Sequence, residues 1–127
     1  MIRKKIKSFE DACKVLKINP EALPVVNMLP EKHQKALIAH YKLITITESL
    51  NEGWKPNWNN KNEWKYFPWF EVKASGDKPS GFGFSFTHCV SWYSIADCGS
   101  RLCFKTSELC NYATKQFEQL YIDYYLM

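Results

Sequence analysis

The sequence predicts an α+β domain: N-terminal helices, a small antiparallel β-meander of about three strands, and a C-terminal helix packed on the sheet. Three observations predict it. Apolar residues recur at helical spacing from Pro30 to Leu50, GFGFSF at 81–86 alternates with period two, and helical spacing returns after Thr106. The 127 residues suit a single domain, 1–127, long enough to bury about two-thirds of the surface its unfolded chain exposes. Within it, residues 1–7 read as a basic N-terminal arm.

Taking the elements in order, Ser8 stands three residues before Asp11, a relative of the capping box, and Phe9, Ala12, Cys13, Val15 and Leu16 then give a short helix its apolar side. INPEALPVVNMLP carries Pro20, Pro24 and Pro30, each fixing its own φ and pushing its predecessor toward extended geometry, so it reads as a connector. Pro30 suits the first turn of the next helix, and Glu31 complements its dipole. At 100° per residue, Leu37, Ile38, Tyr41 and Ile44 fall on one side of this helix and Ala39, Leu43, Ile46 and Leu50 on nearly the other. A helix apolar on two faces is packed between elements or used in association.

From Glu63 the residues become strand-like, and SGDKPSG supplies a turn. In GFGFSF, Phe82, Phe84 and Phe86 share one side and Gly81, Gly83 and Ser85 the other. HCVSWYSI prolongs that strand or begins another, Ala96 to Ser100 turns, and SRLCFK alternates as the closing strand. The last helix starts at a Thr106 or Ser107 cap and brings Leu109, Ala113, Phe117, Leu120 and Tyr124 to one face, flanked by Cys110 and Tyr121.

The net charge of +4 is local: Arg3, Lys4, Lys5 and Lys7 supply it, leaving 13 basic and 13 acidic residues in the remainder. A neutral body argues against a broad phosphate-tracking face, because such a face needs surplus cations to displace counterions. No run of about 18 apolar residues spans a membrane, and the basic start is not followed by a signal-like apolar stretch, so a cytoplasmic protein is expected. Five cysteines without an export signal are expected to be thiols.

Catalytic and metal signatures are sparse. His88, Cys89, Cys98, Cys103 and Cys110 contain no C-x2-C knuckle, and His33 with His40 does not match H-E-x-x-H, so no metal and no cofactor are expected. Neither a G-x-S-x-G elbow nor a phosphate-cradling glycine loop occurs; GFGFSF lacks the third glycine and the following helix. The one enzymatic alternative is a site near His88, Cys98 and Arg101, where a guanidinium beside a thiol lowers its pKa.

GWKPNWNNKNEWKYFPWF, residues 53–70, is the densest functional signal. Trp54, Lys55, Trp58, Lys61, Trp64 and Lys65 are its candidate binding residues, since aromatic rings stack on bases while lysines reach phosphates. Structurally, the same residues read as an ordered polar loop anchored by Trp54 and Trp58, leading into a strand with aromatics on both faces and Pro68 at an edge or bulge. The expected function is a non-enzymatic interaction protein, binding a protein partner or itself; the alternative is single-stranded nucleic-acid binding through 53–70.

SLNEGWKPNWNNKNEWKYFPWFEV, SGFGFSF and SRLCFKTSELCNYATKQFEQLYIDYYL together resemble a family of short bacterial proteins of prophages and other mobile elements, over residues 34–126. What the resemblance implies is genomic context, an accessory protein of a mobile element. It carries no catalytic or binding residues with it.

Overall fold

The structure, a computed structural model, describes the backbone of residues 1–74, 82–92 and 98–126 and the side chains of 1–71 and 98–126. Its elements mix helix and strand: α1 (Ile2–Lys5), α2 (Phe9–Leu16), α3 (Glu31–Leu50), β1 (Lys65–Ala74), β2 (Phe82–Trp92), α4 (Ser107–Gln116) and α5 (Glu118–Tyr125). The caps follow the sequence. Ser8 Oγ accepts from Asp11 N–H at 3.1 Å, and Thr106 Oγ1 accepts from Leu109 N–H at 3.2 Å, each satisfying a donor that the first helical turn leaves over.

One apolar cluster joins distant segments. It takes Ile6, Phe9, Ala12 and Cys13 from the N-terminus, Leu43, Ile46 and Leu50 from α3, Leu102 and Phe104 from the 98–106 segment, and Leu109, Cys110, Ala113, Phe117 and Tyr121 from the C-terminal helices. The two-faced pattern of α3 is explained by its neighbours. Leu43, Ile46 and Leu50 enter the core, while Tyr41 meets Phe9 of α2 edge-on at 6.1 Å and His40 stacks on Tyr124 of α5 at 4.6 Å. Leu37 is left exposed.

Residues 1–7 are tied into the fold. Ile6 is fully buried, its carbonyl accepts from Tyr112 Oη–H at 2.6 Å, and the Lys7 carbonyl accepts from Gln116 Nε2 at 3.0 Å. An arm read by its charges alone conceals its apolar anchors, the buried Ile6 and the half-buried Ile2.

β1 and β2 pair antiparallel, with the register shifting between Trp69 and Phe70. HCVSWYSI does prolong the preceding strand as far as Trp92, whereas the SGDKPSG turn and the facing of the β2 side chains lie outside the described residues. No three-stranded meander forms among the described residues. The expected closing strand makes a single bridge, Tyr66 to Phe104, with N–H to carbonyl distances of 3.1 and 2.7 Å. Backbone donors alternate sides along a strand, so the next inward-facing position of β1 on that edge is Pro68, which has no N–H to give. On the opposite side of 103–105, Asn51 stands in for a strand: its Nδ2 donates to the Cys103 carbonyl at 2.9 Å and its Oδ1 accepts from Lys105 N–H at 3.1 Å.

The single C-terminal helix expected from the pattern is two. Phe117 (φ −116°, ψ 30°) interrupts it, keeping its own N–H bonded to the Ala113 carbonyl at 2.9 Å while α5 swings against α3. Of the predicted inward face, Leu109, Ala113 and Phe117 are buried while Leu120 and Tyr124 are only half-buried against the core; beyond the break it is the flanking Tyr121 that is buried, with Phe70 of β1 5.2 Å from its ring, and Cys110 is buried as well. The expectation of thiols holds for Cys13, Cys98 and Cys103, but Cys110 is disulfide-bonded. Spacing along the chain does not reveal a crosslink that only tertiary packing brings within reach.

Candidate functional site

Residues 54–64 fold around one ammonium group. Lys65, the first residue of β1, is fully buried, and its Nζ donates to the carbonyls of Asn57 at 2.7 Å and Asn60 at 3.1 Å. Glu63 Oε1 lies 3.4 Å from the same nitrogen, and the Trp58 ring centroid 5.2 Å from it. Two asparagine turns shape the loop, the Asn57 and Asn60 side chains each accepting from the N–H two residues on at 3.0 Å. Glu63 ties the loop's start to its end by accepting from Asn57 N–H at 2.7 Å. That backbone donor, then the charge and hydrogen bond of Lys65, then Trp54, hold its carboxyl below the usual glutamate range against the opposing effect of burial.

This geometry divides the six candidate residues. Lys65 is an internal fastener, so it does not offer its charge to a ligand; a lysine at the start of a strand gives no sequence sign of such burial. Trp58 anchors the loop by donating from Nε1 to Ser100 Oγ at 2.6 Å. Lys61 and Trp64 lie on the surface, Trp64 41 % exposed, and Trp69 further along β1 is 45 % exposed. Trp54 and Lys55 line a cleft.

That cleft, about 570 Å³, lies between the C-terminal end of α3 and the Trp loop, with Ser100 and Arg101 on its border. The chain enters the loop through Glu52 (φ 50°) and Gly53 (φ 87°), left-handed conformations that glycine adopts without the cost other residues bear. Lys55 and Arg101 bring positive charge and Glu48 negative charge to the cleft. Thr47, also lining it, is the exception among the Thr and Ser hydroxyls of α3. Thr45 and Ser49 donate back to the carbonyls of Tyr41 (3.1 Å) and Ile46 (2.7 Å), whereas the buried Thr47 Oγ1 has no hydrogen-bond partner. A buried hydroxyl left so costs about 1–3 kcal/mol. Sequence reasoning does not single out Thr47, which sits inside an apolar run.

The proposed enzymatic grouping is only partly visible. Arg101 borders the cleft, Cys98 is half-buried with its Sγ 3.7 Å from the Gly99 carbonyl, and the His88 side chain lies outside the described residues. Among the described residues no three His, Cys, Asp or Glu side chains group as a metal site, and no helix is long and apolar enough to cross a membrane.

A second surface stands out in the α2–α3 connector and its flanks. Val15, Ile18, Leu23, Val25, Met28, Leu29 and Leu37 are all exposed, Val25 by 85 % and Met28 by 89 %. Single exposed hydrophobics are ordinary on soluble proteins; this concentration within 23 residues, from 15 to 37, is not. The connector makes two turns, Ala22 N–H to the Asn19 carbonyl and Leu29 N–H to the Val26 carbonyl, and its prolines prevent it from folding these side chains inward by forming a helix.

No family model, no curated protein and no solved structure matches the chain.

Proposed function

We propose that the protein is a non-enzymatic interaction module that docks on another protein surface, its own copy included, through the apolar connector. The observation that carries this reading is the exposure of Val25 and Met28 in a proline-stiffened stretch, where binding loses little chain entropy. The second apolar face of α3 is largely occupied by α2 and α5, so the docking role falls to the connector. The likeness to short mobile-element proteins supports an accessory role, and with it a cytoplasmic site of action.

The test compares the wild type with a Val25→Asp/Met28→Asp variant, by sedimentation for self-association and by two-hybrid selection followed by pairwise binding for a defined partner. Both side chains are surface groups, so the far-UV circular dichroism should not change. Association that the wild type shows and the variant does not supports the reading; association of undiminished strength in the variant puts the docking surface elsewhere.

A further inference from the structure

We propose that the cleft between α3 and the Trp loop binds one nucleotide unit, its base against Trp54 and its phosphate at Lys55 and Arg101. The inference is independent of the apolar connector. It also narrows the single-strand expectation, because of the six candidate residues only Trp54 and Lys55 line the cleft.

Four observations converge. At about 570 Å³ the cleft lies within the range of small-ligand sites, about 300–1,000 Å³. Trp54 is half-buried and held at the cleft by its backbone, whose N–H donates to the Asn51 carbonyl at 3.0 Å, which leaves the flat indole as a wall. Lys55 and Arg101 are exposed cations from separate parts of the chain, 46 residues apart, and both line this cleft. Arg and Lys donors are the usual partners of phosphate oxygens, and the guanidinium can take two at once. Finally, Thr47, which lines the cleft, has a buried hydroxyl that the protein does not satisfy and that a ligand's polar group reaching the cleft floor would partner. Glu48 at the same cleft can accept from a sugar hydroxyl or a base amine.

A nucleotide can arrive free or as part of a strand, and the two share this chemistry. The experiment therefore titrates the ¹⁵N-labelled protein with adenosine 5′-monophosphate, with inorganic phosphate and with a short single-stranded DNA, following the Trp54 indole N–H and intrinsic fluorescence. The expected result is a Trp54 shift with the mononucleotide, weakened about tenfold by Lys55→Gln and by Arg101→Gln, both exposed positions where folding is unaffected. Thr47→Val adds a readout that a merely structural role does not give: the unliganded protein keeps or gains thermal stability, while nucleotide affinity falls. A shift with DNA alone, sensitive to the same substitutions, makes the strand the source. An equal response to inorganic phosphate overturns the base-recognition half. Silence of Trp54 toward both nucleotide and DNA, or binding indifferent to Lys55 and Arg101, overturns the proposal.

Discussion

At the level of single residues, Lys65 decides whether residues 54–64 are a loop or a tail. Its ammonium replaces water for two backbone carbonyls and neutralises Glu63, so removing the charge leaves three acceptors facing a cavity. Lys65→Met is expected to cost about 3 kcal/mol, within the range for breaking a buried pair, and to red-shift tryptophan emission; urea denaturation followed by fluorescence measures both. Glu63 adds a pH dependence. Because its folded pKa is depressed, its contribution is present above the ordinary glutamate value and is lost as the pH falls through the lowered one. The urea midpoint should therefore fall on acidification from about pH 6 to about pH 3, and less steeply in Glu63→Gln. Thiol chemistry separates too. Burial pushes Cys103 up to about 11 and raises Cys13, so native-state labelling with iodoacetamide at mildly alkaline pH should modify half-buried Cys98 first, with mass spectrometry locating the adduct.

Among the elements, helix starts are the most legible in the sequence. Ser8 and Thr106 cap where their residue types and spacing indicate, because capping depends on a few neighbouring atoms. The buried side of α3 and the inward face of α4 follow from periodicity for the same local reason, whereas beyond the break at Phe117 the buried position moves from Leu120 and Tyr124 to Tyr121. What the sequence conceals depends on contacts distant along the chain. Phe117 suits a helix interior by composition, yet the helix breaks there and α5 packs on α3. The alternation in SRLCFK promises a strand, yet Pro68 withholds the donor a strand needs, and Asn51 takes a strand's place. Asn51→Ala leaves a buried carbonyl and a part-buried N–H unsatisfied, and is expected to cost about 2 kcal/mol in denaturant unfolding, whereas Asn51→Asp keeps the acceptor and loses the donor. The candidate site is legible as a tryptophan- and lysine-rich stretch. Which lysine faces inward is not, since Lys55, Lys61 and Lys65 differ only in the company that folding gives them.

For the whole molecule, the core is held by its ends. Ile6 is packed under Tyr112, and Lys7 is bonded to Gln116, across separations of 106 and 109 residues. Ile6→Ala should cost about 3 kcal/mol, in the range for a fully buried isoleucine, and a calorimetric scan should show a lowered midpoint. Such closure has a consequence for synthesis. As the chain leaves the ribosome, its first segment is released early and finds α3 to lie on, but Ile6 and Lys7 lack their partners in α4 until more than a hundred further residues have followed. Native packing of this core is therefore completed late, and until then the nascent N-terminal segment is a natural client for whatever chaperone attends the exit tunnel.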